Sequence, residues 1–148
     1  MNIIIEREKD NGLVIDGVLK INGETICHTA ENSNNAILAG NYNIHICHCK
    51  QYGRRMPMVD LALDSLPKSN ECDLCEQKEY VSINTNLPSY CPMLKAGNGA
   101  YNRTDGSIIV GEYVAPGCLI HPVIYFEKIF ERIRKALSRN SECRIIIR

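Results

Sequence analysis

The chain has 148 residues, enough for a hydrophobic core, and we expect residues 1–148 to form a single domain. Its 17 basic and 17 acidic residues balance, so no net field attracts it to nucleic acid or to a membrane surface. The apolar runs are too short to span a bilayer, and the N-terminus lacks the pattern of a signal peptide. We therefore expect a soluble protein that is synthesised in the cytoplasm.

Short strands separated by turns are predicted over the first part of the chain. Asn22-Gly23 is a strong hairpin signal, because both residues tolerate the left-handed backbone of a tight turn between strands. Farther on, Tyr42, Ile44 and Ile46 alternate with polar residues, which predicts a half-buried strand with one apolar face.

The segment "HPVIYFEKIFERIRKALSRN" predicts an amphipathic helix near the C-terminus. One apolar face with helical spacing is formed by Phe126, Ile129, Phe130, Ile133 and Leu137. Pro122 suits the first turn, where its missing N–H costs nothing. The following "CRIIIR" predicts a last strand. We therefore predict an α+β fold: a β-rich, mostly antiparallel sheet or partly closed barrel, with one C-terminal amphipathic helix and a final strand.

The stretch "KAGNGAYNRTDGSIIVG" is rich in glycine and polar residues and then changes abruptly to a strand-like run. Such a loop can deliver a reactive side chain onto a strand, although it contains neither His nor Cys. It is not a phosphate-binding loop, because it lacks the strand–loop–helix context and the Gly-Lys-Ser/Thr ending. A purely structural interpretation is that Gly97, Gly99, Gly106 and Gly111 permit positive φ in a tight loop.

Several short motifs follow one another in a distinctive order. They are "ICHTAE", "AILAGNY", "MPMV", "LKAGN" and "RTDGSIIVG", and the helix with "FEKIFERI" comes last. This order resembles a small uncharacterised family of bacterial, phage and prophage proteins, whose pattern includes I-H-x-G-N and D-T-x-G-C-I-x-V-G. These two segments are in turn similar to the His and Cys segments of L,D-transpeptidase catalytic domains. The resemblance implies a phage or prophage type of origin and a role at the bacterial cell wall or in the virion.

Most of the residues that frame the family's two chemical positions are present in this chain. Gly97 and Asn98 match the family's Gly-Asn pair, and Gly106 matches the glycine before its cysteine. The family's Asp-Thr pair is present in altered order as Thr104-Asp105. The resemblance therefore implies that these five residues form a binding pocket.

The two chemical positions themselves differ from the family, with Lys95 at the histidine position and Ser107 at the cysteine position. A serine is a weak nucleophile without a positioned base, and a lysine is protonated near neutral pH unless burial lowers its pKa. If the site is active, Ser107 and Lys95 are the catalytic pair, because Ser–Lys dyads exist. The structural alternative makes Ser107 a hydroxyl that bonds a nearby backbone group and Lys95 an exposed cation. We expect the second and therefore an inactive site.

Cysteines supply a second candidate site. Cys47 and Cys49 share one face of a predicted strand, and Cys72 and Cys75 have the C-x2-C spacing of a zinc knuckle. Zinc held by these four thiolates is one interpretation. Buried structural thiols are another, and a disulfide, either between Cys72 and Cys75 or between loops, is a third if the protein leaves the cell.

Two functions follow from these patterns. The first is a degenerate or divergent L,D-transpeptidase-like domain that acts on or binds peptidoglycan fragments and requires no cofactor. The alternative is a non-enzymatic virion or interaction module that binds other phage or bacterial proteins and is stabilised by zinc. Either function fits a protein that is associated with the virion or released at lysis. Exposed apolar surface away from the segment between Lys95 and Ser107 would favour the alternative.

Overall fold

A nearly closed, mostly antiparallel sheet dominates the fold. The computed structural model describes residues 1–49, 52–60, 92–103 and 105–148. Within these residues the strands are β1 (Asn2–Asp10), β2 (Val14–Ile21), β3 (Glu24–Asn32), β4 (Gly40–Cys49), β5 (Arg54–Asp60), β6 (Leu94–Ala96), β7 (Ile108–Ala115), β8 (Cys118–Ile120) and β9 (Arg144–Ile147). They pair in the order β5-β4-β9-β1-β2-β3-β7-β6, and β8 pairs with β7. The β1–β9 and β6–β7 pairs are parallel.

The two ends of this sheet approach each other between β5 and β6. Met58 of β5 bridges Met93, which immediately precedes β6. The Val59 N–H also donates a hydrogen bond of 2.8 Å to the Pro92 carbonyl. The predicted β-rich fold with a partly closed barrel is therefore confirmed.

The predicted Asn22-Gly23 hairpin connects β2 to β3. Both residues adopt left-handed backbone, with φ of 50° at Asn22 and 88° at Gly23. Two successive residues of this kind form the turn whose twist matches that of the flanking strands. The turn sets a register in which Ile21 faces Glu24.

The helix α1 (Pro122–Ser138) has the boundaries and the apolar face expected from its periodicity. Its buried residues are Phe126, Ile129 and Ile133, and the helix packs against β5, β6 and β7. His121 precedes it in left-handed backbone with φ of 52°, so the chain turns directly from β8 into α1. No helix among the described residues combines the length and the apolar character needed to cross a membrane.

Residues 108–111, the first half of β7, are buried on both faces of the sheet. Ile108 and Val110 point into the main core, which also contains the apolar face of α1. Ile109 points the other way, into a small second core formed by Val14, Ala30, Ala100, Ile109 and Leu119. Ala100 of this core belongs to the segment between β6 and β7, and Lys95 and Ser107 lie at the two ends of that segment.

Candidate functional site

The glycine-rich stretch is a crossover between two parallel strands rather than a tight loop. Residues 97–107 leave β6 and return to β7, where Lys95 pairs with Ile109 and Leu94 pairs with Ile108. Parallel neighbours require a connection that passes over the sheet, because a tight turn reverses the chain direction. The crossover therefore brings the segment around Lys95 beside the segment around Ser107.

Hydrogen bonds to β8 and the loop before it hold this crossover in place. The Leu119 N–H donates to the Asn98 carbonyl at 2.8 Å, and the Asn98 side-chain amide donates to the Leu119 carbonyl at 3.0 Å. The Ala100 N–H donates to the Gly117 carbonyl at 2.9 Å. Asn98, which the family resemblance placed in a binding pocket, thus pairs with a neighbouring strand.

The glycines of this region serve two different purposes. Gly106 alone of the four predicted positions has positive φ, at 72°. Gly97 is packed so closely that a Cβ there would lie 2.9 Å from both the Arg103 guanidinium and the Ile109 side chain. At Gly111 a Cβ would lie 2.8 Å from the Ile120 carbonyl oxygen. The prediction of positive φ was therefore wrong for Gly97, Gly99 and Gly111.

Lys95 is buried and ion-paired, which corrects the expectation that it is an exposed cation. Only 3% of its surface is exposed. Its Nζ donates hydrogen bonds to Asp105 Oδ2 at 2.6 Å and to the Tyr52 hydroxyl at 3.1 Å. The Nζ also lies 5.5 Å from the centre of the Tyr52 ring. An ammonium group that loses its water requires such partners, because burying a charge without an opposite charge and hydrogen bonds is costly.

Ser107 is buried beside this ion pair. Its exposed fraction is 1%, and its Oγ accepts a hydrogen bond of 3.3 Å from the Met93 N–H. Its own N–H donates to Asp105 Oδ1 at 3.0 Å, which closes a turn around Gly106. The Ser107 hydroxyl thus bonds a nearby backbone group, as the structural interpretation expects.

Asp105 connects the two predicted catalytic positions. One carboxylate oxygen holds the Lys95 ammonium and the other accepts the Ser107 N–H. Among the described residues no hydrogen bond joins the Lys95 side chain to the Ser107 hydroxyl. Thr104 lies outside the described residues. No pattern in the sequence indicated that Tyr52 contacts Lys95. The arrangement forms a charge-neutral cluster of Lys95, Asp105, Tyr52 and Ser107, which we call the Lys95 cluster.

The first half of the predicted zinc site has the expected orientation. Cys47 and Cys49 are both buried, whereas His48 between them is exposed. The other two predicted ligands, Cys72 and Cys75, lie outside the described residues. Within the described ranges no group of three or more His, Cys, Asp or Glu side chains is arranged to hold a metal ion. Zinc at the four cysteines stays a prediction.

Comparison of the chain with protein-family models, with curated proteins and with solved structures found no match.

Proposed function

We propose that this protein acts by binding and not by catalysis, as a non-enzymatic interaction module on a degenerate transpeptidase-like frame. The observation that carries this proposal is the burial of Ser107, whose exposed fraction is 1%. A nucleophile must reach its substrate, and this hydroxyl is enclosed and already accepts the Met93 N–H.

The hydrogen bonds of Lys95 support the same conclusion. A general base must be neutral to accept a proton, and it must lie within hydrogen-bond reach of the nucleophile. Lys95 instead donates to the Asp105 carboxylate at 2.6 Å, and among the described residues no hydrogen bond joins it to the Ser107 hydroxyl. The Lys95 cluster therefore supplies neither an accessible nucleophile nor a free base.

Exposed apolar surface elsewhere supports an interaction function. Val123 and Ile124, in the first turn of α1, are 60% and 67% exposed. Val114 and Ile120, on the neighbouring β7–β8 hairpin, are 54% and 42% exposed. Clusters of exposed apolar side chains in soluble proteins mark sites of interaction with other molecules. The partner class that this surface favours is protein, consistent with the interaction-module alternative.

Incubation with peptidoglycan fragments tests the proposal. Wild-type protein and Ser107→Ala are mixed with purified muropeptides that carry peptide stems, and the products and the intact protein masses are measured by mass spectrometry. We expect no turnover and no covalent acyl adduct with either protein, because the hydroxyl is enclosed.

A wild-type acyl adduct, or turnover that Ser107→Ala abolishes while its circular dichroism spectrum is unchanged, would overturn the proposal. An active L,D-transpeptidase serves as the positive control for the substrate preparation. The adduct measurement uses the wild-type chain alone, so its result does not depend on whether Ser107→Ala folds correctly.

A further inference from the structure

Four exposed apolar side chains lie on the β7–β8 hairpin and in the first turn of α1, and we call this set the apolar patch. They are Val114 of β7, Ile120 of β8, and Val123 and Ile124 of α1. Ile120, Val123 and Ile124 are nearly consecutive, because only His121 and Pro122 separate β8 from the body of the helix. The patch therefore spans the point where the β7–β8 hairpin meets α1.

The β7–β8 register connects this patch to a negative charge. Glu112 pairs directly with Ile120, so the two side chains lie on the same face of the hairpin. Val114 lies two residues farther along β7, at the register shift between Tyr113 and Ala115, and it too is exposed. Glu112 is exposed and takes part in no ion pair with the described residues.

A positive charge lies on the helical side of the patch. Lys128 follows Ile124 by one helical turn and therefore shares its side of α1. Lys128 is exposed and, like Glu112, makes no ion pair within the described part of the chain. Its neighbours Glu127 and Glu131, in contrast, pair with Arg54 and Arg134.

The patch thus has an acidic side chain opposite Ile120 and a basic one next to Ile124, and neither has an ion-pair partner among the described residues. A surface of this kind is complementary to itself under a two-fold rotation, which places the acid of one copy opposite the base of the other. A lipid surface would not use Glu112, because anionic headgroups repel a carboxylate.

We propose that the apolar patch is the interface of a two-fold symmetric homodimer, in which Glu112 of each copy faces Lys128 of the other. This inference rests on the proposed interaction function and names a second copy of the chain as the partner. Burial of the four apolar side chains provides the affinity, and the two charge pairs fix the relative orientation of the copies.

Sedimentation velocity over a micromolar to millimolar concentration series tests the dimer. We expect the wild-type chain to associate reversibly to a dimer, and Ile124→Glu to weaken association by at least about tenfold. The matched control is Leu38→Glu, because Leu38 is 76% exposed but lies between β3 and β4, away from the patch. This control should associate as the wild type does.

Charge reversal tests the predicted orientation. Glu112→Lys and Lys128→Glu should each weaken association, and the double variant should restore it because the two charges exchange places. A lack of restoration would overturn the pairing of Glu112 with Lys128.

Other outcomes would overturn the dimer as a whole. These are a wild-type chain that stays monomeric throughout the series, association that Ile124→Glu leaves unchanged, or binding to anionic phospholipid vesicles that Ile124→Glu abolishes in a monomeric protein. A monomer that remains inert toward muropeptides would refute only the dimer, whereas muropeptide turnover would refute the proposed function itself.

Discussion

Burial in the main core determines the chemistry of the Cys27 thiol. Desolvation raises the pKa of this thiol from 9.0 to about 12, although the Gly111 amide and the Lys128 ammonium act in the opposite direction. The same effect raises the pKa of Cys143 to about 11. Both thiols therefore remain protonated at neutral pH and are poor nucleophiles and poor metal ligands.

These pKa values predict a loss of stability in alkaline solution. Above pH 9.0 the unfolded Cys27 thiol ionises, whereas the folded thiol keeps its proton up to about pH 12. The unfolded state then binds fewer protons, so the contribution of Cys27 is intact below pH 9.0 and is lost as pH rises toward 12. Within this window each such thiol lowers the free energy of unfolding by about 1.4 kcal/mol per pH unit.

Urea unfolding of Cys27→Ala at several pH values measures this effect. The variant should lose stability less steeply than the wild type above pH 9.0, because it lacks the buried thiol. Cys118→Ala is the control, since Cys118 is only half-buried and its removal should leave the wild-type slope. Equal slopes for Cys27→Ala and the wild type would contradict the account.

The environment of Lys95 could not be predicted from its position in the sequence. The sequence indicated Lys95 and Ser107 as the candidate catalytic residues, and the structure brings both to Asp105. The burial of Lys95 depends on the crossover and on Tyr52, which lies in a separate turn. Local patterns predict which face of a strand is apolar but do not show which distant segment covers it.

At the scale of elements, Arg54 at the start of β5 contacts Phe126, Glu127 and Phe130 of α1 and links the two elements. Its guanidinium lies 5.1 Å from the Phe126 ring centre and 5.2 Å from the Phe130 ring centre. The same group forms two hydrogen bonds with the Glu127 carboxylate, the shorter of 2.5 Å. Since β5 is an end strand of the sheet, this contact joins the helix to one of the two ends that nearly meet.

Replacing Arg54 should therefore weaken the packing of α1 on the sheet. We expect Arg54→Ala to lower the free energy of unfolding by about 1–2 kcal/mol, from the lost cation–π contacts and the lost ion pair. The adjacent Arg55 is exposed and has no ion-pair partner among the described residues, so Arg55→Ala should change stability by less than about 0.5 kcal/mol. Similar losses for both variants, measured by chemical denaturation, would argue against the contact.

Elements with strong local signals were predictable from the sequence. The Asn22-Gly23 turn and the helix from Pro122 show their geometry in a few adjacent residues, and both are confirmed. The β6–β7 pair was not predictable as parallel, because β6 has only three residues and its pairing depends on the crossover. The double burial of residues 108–111 in β7 was visible only as an apolar run, and it follows from long-range packing.

At the scale of the whole molecule, the Lys95 cluster lies where the sheet nearly closes. Lys95 belongs to β6, and its partner Tyr52 lies in the turn between β4 and β5. Met58 and Met93 bridge the same two ends of the sheet. Through Tyr52 the cluster joins the two ends of the barrel, and through Asp105 it joins the two ends of the crossover. We therefore assign the cluster a structural function.

The free energy of unfolding of Asp105→Asn tests this structural function most directly. Asparagine can still accept the Ser107 N–H through Oδ1, and its NH2 group then replaces the charged acceptor opposite the Lys95 ammonium. We predict a loss of about 3 kcal/mol, near the lower limit for a buried ion pair, because 25% of the Asp105 side chain is exposed. Lys95→Met should cost less than Asp105→Asn, because the carboxylate that it leaves without a partner is 25% exposed and can be hydrated. If Asp105→Asn is as stable as the wild type or more stable, the charges were kept at the expense of stability, as in a working catalytic site, and the structural account is wrong.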